Sequence, residues 1–317
     1  MFKLVPAFKD YLWGGTKLKD EYGKKSNLNI VAETWELSTH PDGLTVIGSG
    51  EYEGQTLLSY VEKNGKSVLG SKCSSEKDIP ILIKFIDAKD ALSIQVHPDN
   101  EYALKNENDF GKTEMWYIVE AEPNAKLIYG FNKDISKDEF EKAIKENSLT
   151  NLVNEINVKK GDVLFIKPGT MHAIGKGIVI AEIQQRSNVT YRIYDFGRLG
   201  ADGKPRELHI SKALDVTNLN KIDSTTVDYN FIDCEDAKKA LLAECSYFHV
   251  ELLKLNGSIS LEANEESFNS LLVLNGSCEV VSENYKLYLE KGESAFIPAN
   301  LGKYTINGNS EIILTTL

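Results

Sequence analysis

Gln95, His97, Glu114 and His172 supply amide, imidazole and carboxylate donors from positions where strands can aim them into one cavity. In SIQVHP, Gln95 and His97 are two residues apart, so on a strand their side chains leave the same face. Glu114 lies in GKTEMWYIV, whose Trp116 to Val119 continuation predicts a second strand. His172 closes GDVLFIKPGTMHA, where a Gly-Asp turn leads into the strand-like run Val163 to Ile166 and then a Pro168-Gly169 turn. Nitrogen and oxygen donors without thiolate suit one divalent ion, zinc or another divalent metal, at a site with an open coordination position. Taken alone, each has a plain alternative, since a histidine after Pro-Gly is often only a turn residue. The four together are harder to dismiss.

The elements that must position these donors are mostly strands. Runs at 45–47, 81–86, 92–96, 118–119, 163–166, 178–180, 271–274, 295–297 and 312–314 are short, apolar and punctuated by Gly and Pro, a pattern of barrels or sandwiches. Helical patterns are fewer. One covers 56–61, another or a pair covers 136–156 with Ser136 as N-cap and Glu139 three residues on, and a third covers 210–216.

An internal echo divides the chain. From Gly161, GDVLFIKPGTMH places Gly169 at the eighth following position and His172 at the eleventh; from Gly292, GESAFIPANLGK places Asn300 and Lys303 there. The fold class expected is therefore mainly β, with two jelly-roll β-barrels and a few short helices. The first, within residues 1–225, carries the metal set; the second, 226–317, has Lys303 in place of His172 and no counterpart of Gln95-x-His97, so it should hold no metal. The polar stretch around 218–230 is the linker candidate.

Composition narrows the function. The 317 residues are 42% hydrophobic and 26% charged, with a net charge of −11, which disfavours nucleic acid and anionic membranes as partners but allows a small anion at a local basic cluster. No apolar run reaches membrane-spanning length, and MFKLVPAFKDYLWGG does not read as a signal peptide, so the cytoplasm is expected. Cys73, Cys234, Cys245 and Cys278 lack metal or disulfide spacing and read as free thiols. His209 and His249 read as structural, as does His40, which is also a candidate pocket liner.

The ordered blocks YLWGG, AETWELSTHP, IKFIDAKDALSIQVHPDN, GKTEMWYIV, KPGTMHA and IAEIQQRSNVTYRIYDFGR resemble the type I mannose-6-phosphate isomerase family of the cupin superfamily, in its short bacterial form. The resemblance is dense over about residues 5–220 and weak beyond. It implies interconversion of mannose 6-phosphate and fructose 6-phosphate, with one zinc held at Gln95, His97, Glu114 and His172. It also implies site roles for Lys84, Ser93, Lys112, Trp13, Glu33, Glu182 and Arg192. Leu12 and Ile174 depart from the longer members, which carry an aspartate and a tyrosine there, so no mechanism here can rest on those polar groups.

Moving a carbonyl between C1 and C2 needs a base to shuttle a proton and a counter-charge for the enediol oxygens. Glu182, on the strand from Ile178, is the first carboxylate candidate, either pocket-lining or in a structural ion pair. Lys112 shares a face with Glu114 if that strand extends back; it is a proton-transfer group, a sugar-hydroxyl donor or a solvated lysine. Arg192 is the favoured oxyanion binder, with Arg186 and Arg198 in competition. Lys84 sits in an apolar run and needs a partner or a substrate phosphate. Which cation takes the phosphate stays open. Trp13 is a candidate to flank sugar, whereas Trp116 reads as core. The rivals are another metal cupin enzyme, such as an iron oxygenase, and a sugar-phosphate-binding cupin without turnover; oligomeric state is not legible.

Overall fold

The computed structural model describes residues 1–200, 203–223 and 226–317. The expected boundary at 225 and part of the linker candidate lie outside these residues. The chain forms two compact units that interleave along the sequence: Met1–Lys9, Thr16–Phe85 and Asp228–Leu317 make the first, and Asp10–Gly15 with Ile86–Val227 the second. The C-terminal segment is thus not a unit by itself. Its strand Ser294–Ile297 pairs with the N-terminal strand Phe2–Val5, with Phe2 opposite Phe296, and Lys3 reaches Glu293 at 2.7 Å. An alternating apolar N-terminus that completes a distant sheet leaves no sequence signal of its partner.

The first unit is built on a nine-stranded sheet whose long members, His249–Ala263, Asn269–Val281 and Gly302–Thr316, run antiparallel side by side. Its alternating residues, among them Leu253, Leu271, Val273, Val280, Ile306 and Ile312, fill the interior as one apolar cluster.

In the second unit two sets of strands carry the candidate site. The strand Glu114–Ala121 lies between Val163–Ile166 and Ile178–Gln185. A five-stranded sheet runs in the order Tyr191–Tyr194, Ile94–Val96, His172–Ala173, Lys126–Phe131, Val153–Asn157. One face of that sheet is apolar: Ile94, Val96, Phe131, Ala173, Tyr191 and Ile193 pack with Phe140, Ile144 and Ala213. These last three come from the helices Lys137–Lys145 and Ile210–Val216, so the helices cover the greasy face and leave the other to polar side chains.

Ser136 caps its helix as expected, accepting from the Glu139 amide at 3.1 Å. The stretch 136–156 is nevertheless only one α-helix, because the chain turns at Asn147 (φ +55°), makes a short 3₁₀ turn and enters the strand Val153–Asn157. A helix Asn100–Asn106, capped by Asp99, also went unforeseen, its polar sequence offering little periodicity. The helices at Leu57–Asn64 and Ile210–Val216 lie where the sequence places them.

Candidate active site

Cross-strand register explains how distant residues meet. Arg192 lies opposite Gln95, Gln95 opposite His172, and His172 opposite Tyr129, so four side chains stand in a row on one face of the five-stranded sheet. On the other set of strands, Glu114 lies between Ile166 and Gln184, and two residues along Trp116 lies between Leu164 and Glu182. These two faces confront each other: His172 Nε2 is 3.3 Å from Glu114 Oε1, and the Trp116 and His172 rings meet edge to face at 5.3 Å.

His97, Glu114 and His172 are all buried and can each offer one ligand atom within 4.8 Å of the others. Both rings are held by backbone carbonyls, His97 Nδ1 on Val189 O at 2.8 Å and His172 Nδ1 on Thr170 O at 2.9 Å. A carbonyl only accepts, so each Nδ1 carries the proton and each Nε2 keeps its lone pair facing inward. Burial pushes the His172 imidazole down to about 4, against the raising effect of the Thr170 bond, so the ring is neutral at physiological pH. Gln95 joins the group with its amide 3.4 Å from His172 Nε2, and a half-turn of that amide presents Oε1 instead. Two oriented imidazoles, a carboxylate and an amide fit a divalent cation such as zinc.

Lys112 precedes the start of its strand, yet its side chain lands in the same cluster. Its Nζ is 2.9 Å from Glu114 Oε2, 3.4 Å from His97 Nε2 and 3.8 Å from Glu182 Oε1. Glu182 in turn accepts a 2.8 Å hydrogen bond from Trp116 Nε1. Trp116 is therefore buried as expected of core, but its indole also orients a carboxylate. Ser93 Oγ stands 3.5 Å from Gln95 Oε1, two residues along on the same face.

Arg192 is half-buried, donating from NH1 to Glu207 O at 2.8 Å, while its buried Nε has no acceptor among the described residues. Burial, with Arg206 and Arg198 adding repulsion, holds its guanidinium below the ordinary value. Asp195 gathers those two arginines: Arg206 binds it at 2.7 and 2.6 Å, and Arg198 pairs with it too. Arg186 lies over the Phe110 ring at 5.7 Å. Trp13 is buried, its carbonyl accepting from the Asp90 amide at 3.0 Å and its ring 5.6 Å from Tyr11.

In the first unit, Lys84 has the partner its burial demands, Glu33 Oε2 at 3.5 Å, and its ammonium lies 5.0 Å over the Trp35 ring. Glu33 also accepts from Trp35 Nε1 at 2.8 Å. His40 packs on Trp35 and accepts from the Asp42 amide at 3.1 Å. Gln184 was missed by sequence reasoning. Its amide nitrogen is fixed on two carbonyls, Gln185 O and Ser187 O, both at 2.7 Å, and its buried Oε1 has no hydrogen-bond partner among the described residues. Alternation from Glu182 along its strand was the signal that could have found it.

This constellation agrees with comparisons to known proteins. Residues 1–124 match the model of the phosphomannose isomerase type I catalytic domain, and residues 238–317 that of the mannose-6-phosphate isomerase cupin domain. The mannose-6-phosphate isomerase ManA of Bacillus subtilis is 37% identical over 98% of this chain and 97% of its own length. The chain belongs to the type I phosphomannose isomerase family. A second relative, the mannose-6-phosphate isomerase of Streptococcus mutans, is 36% identical over 95% of this chain and 93% of its own. The crystal structure of the mannose 6-phosphate isomerase from Bacillus subtilis superimposes with a TM-score of 0.92 at 34% identity, covering 100% of this chain and 99% of that one. The mainly β, cupin-type fold expected from the sequence holds across that likeness.

Proposed function

We propose that this protein interconverts mannose 6-phosphate and fructose 6-phosphate, with one zinc or other divalent ion held by Gln95, His97, Glu114 and His172. The observation that carries the reading is the convergence of two carbonyl-anchored imidazoles and Glu114 with Lys112 and Glu182 in one buried cluster. When bound, the ion supplies Lewis-acid stabilisation of the negative charge that develops on the enediol oxygens.

The remaining work falls to the chain. Glu182, which accepts from Trp116, and Lys112, which lies between two carboxylates, are proposed to hold and move the proton exchanged between C1 and C2, and these contacts support that reading. Arg192 keeps a buried Nε–H donor for a substrate oxygen, and the excess of guanidinium over carboxylate around Asp195 favours this side for the phosphate. Ser93 and Trp13 are proposed to bind substrate in the second unit, and Glu33 and Lys84 in the first; the family resemblance supports those four roles. The metal-binding function belongs to the region before 225 and the C-terminal cupin region carries none. Free thiols at all four cysteines and the lack, among the described residues, of a helix able to cross a membrane accord with a cytoplasmic enzyme acting on a small sugar phosphate.

A coupled assay for fructose 6-phosphate, run before and after chelation and again after zinc is restored, tests the reading. Turnover lost and regained with the metal is the expected result. Binding of the sugar phosphate without turnover in the zinc-replete protein would leave a binding protein, and activity that needs ferrous iron and oxygen would leave an oxygenase.

A further inference from the structure

His209 has no part in the reaction outlined above and reads from sequence as structural. Its surroundings are more specific than that. The Arg192 amide donates to His209 Nδ1 at 3.2 Å, and the His209 amide donates to Arg192 O at 2.8 Å. Two residues earlier, Glu207 O receives Arg192 NH1 at 2.8 Å. The segment 207–209 thus grips Arg192 at its amide, its carbonyl and its guanidinium.

We propose that His209 is a positioning residue for Arg192, clamping the peptide unit from which the guanidinium projects and doing so only as a neutral imidazole. The proposal rests on the reading of Arg192 as a substrate-site residue. Its chemistry is a matter of one nitrogen. Nδ1 accepts from a backbone N–H, so it must keep its lone pair, and the ring proton sits on Nε2. Protonation would set an N–H against an N–H and break the bond at the residue whose side chain must be aimed.

The groups facing His209 do not welcome a second cation. Arg192 comes from the adjacent strand and Lys212 from the following helical turn, against Glu207 and, from the segment after the helix Asn100–Asn106, Glu107. Glu107 is already engaged by Lys212 at 2.6 Å and by Tyr191 Oη at 2.7 Å, and the Tyr191 ring stands 6.2 Å from the imidazole. Burial first, then Arg192, holds the imidazole below its ordinary value, so the clamp stays closed at neutral pH and opens on the acid side.

Two variants of the full-length, zinc-replete enzyme test this, with kcat and KM for mannose 6-phosphate measured from neutral to mildly acidic pH. His209→Phe keeps a ring but removes the acceptor, and should lower kcat/KM about tenfold with unchanged zinc content, the effect of one hydrogen bond. His209→Asn places Oδ1 where Nδ1 stood and cannot titrate; it should recover kcat/KM to within about twofold and lack the acid limb that the clamp predicts for the native enzyme below the ordinary histidine range. An Asn variant as impaired as the Phe variant, or one that keeps the native acid limb, overturns the clamp, and this holds even if the Phe variant fails to fold. Arg192→Ala separates the two levels: if it leaves turnover untouched, the role of Arg192 falls and the clamp with it, whereas a loss there beside a fully active Phe variant refutes the clamp alone.

Discussion

The turn after Gly161 and the turn after Gly292 build the same local structure and lead to opposite interiors. Gly161 and Gly292 both adopt positive φ, at +92° and +87°, each precedes a short strand, and eight residues on Gly169 and Asn300 are both left-handed, at +82° and +63°. Asparagine is among the few residues that accept that conformation without glycine's freedom. Three residues later the copies part. His172 is wholly buried among donors, whereas Lys303 is exposed and its neighbour Tyr304 turns inward to take a 2.7 Å hydrogen bond from Asn269. The backbone pattern is thus the scaffold's requirement, and at the eleventh place one copy buries an imidazole beside Glu114 while the other leaves a lysine in solvent.

The sharpest way to break this comparison is to alter both eleventh positions. His172→Ala should abolish zinc retention and lower kcat at least about a thousandfold, since it removes one of few ligands and the charge stabilisation they hold in place. Lys303→Ala, at an exposed place, should leave both within error. Zinc content by elemental analysis with steady-state kinetics reads the pair, and a Lys303 variant that loses metal would mean the second interior is not inert.

A core change inverts the contrast. Ile306 is fully buried in the apolar cluster of the first unit, and Ile306→Ala should cost about 2–5 kcal/mol of stability with kcat unchanged in the molecules that remain folded. Denaturant melts with activity measured below the transition check it. Zinc loss at full stability would instead show that the two interiors depend on each other.

Turn chemistry supplies the next, smaller contrast. A Cβ at Gly169 would meet Val216 O at 2.8 Å in a conformation already hostile to alanine, so Gly169→Ala should destabilise by about 1–2 kcal/mol. Asn300→Gly should change stability by only about a few tenths, because glycine enters the same backbone state freely. Equal losses in both would end the equivalence of the two turns.

These contrasts also mark what the sequence could and could not disclose. Gln95-x-His97 and the turn-strand-turn approach to His172 were legible because a period of two and a left-handed turn are local rules. The row from Arg192 to Tyr129 was not, since register between strands separated by up to about a hundred residues leaves no local trace. Lys84 called for a partner by its burial, but only the fold could name Glu33. The pairing of Phe2–Val5 with Ser294–Ile297 was invisible for the same reason, as was the double hydrogen bond between His209 and Arg192.

The smallest predicted effect concerns acid. Burial by itself would raise the Asp195 carboxyl, but hydrogen bonds from Arg206 and Arg198 outweigh it and hold the group below the ordinary carboxylate range. A carboxyl depressed in the folded state binds fewer protons there than when unfolded, so its stabilisation is complete above the unfolded value of about 4 and is lost as pH falls through the lower folded value. Melting temperatures of the native protein should therefore fall on acidification through that window, and Asp195→Asn should shrink the slope there while lowering stability at neutral pH. The apolar interior around Ile306 offers no such charge, so Ile306→Ala should shift the whole curve without changing its shape. A slope unchanged in the Asp195 variant would mean that its arginines find other acceptors, and that the basic cluster beside Arg192 is held together by something other than this carboxylate.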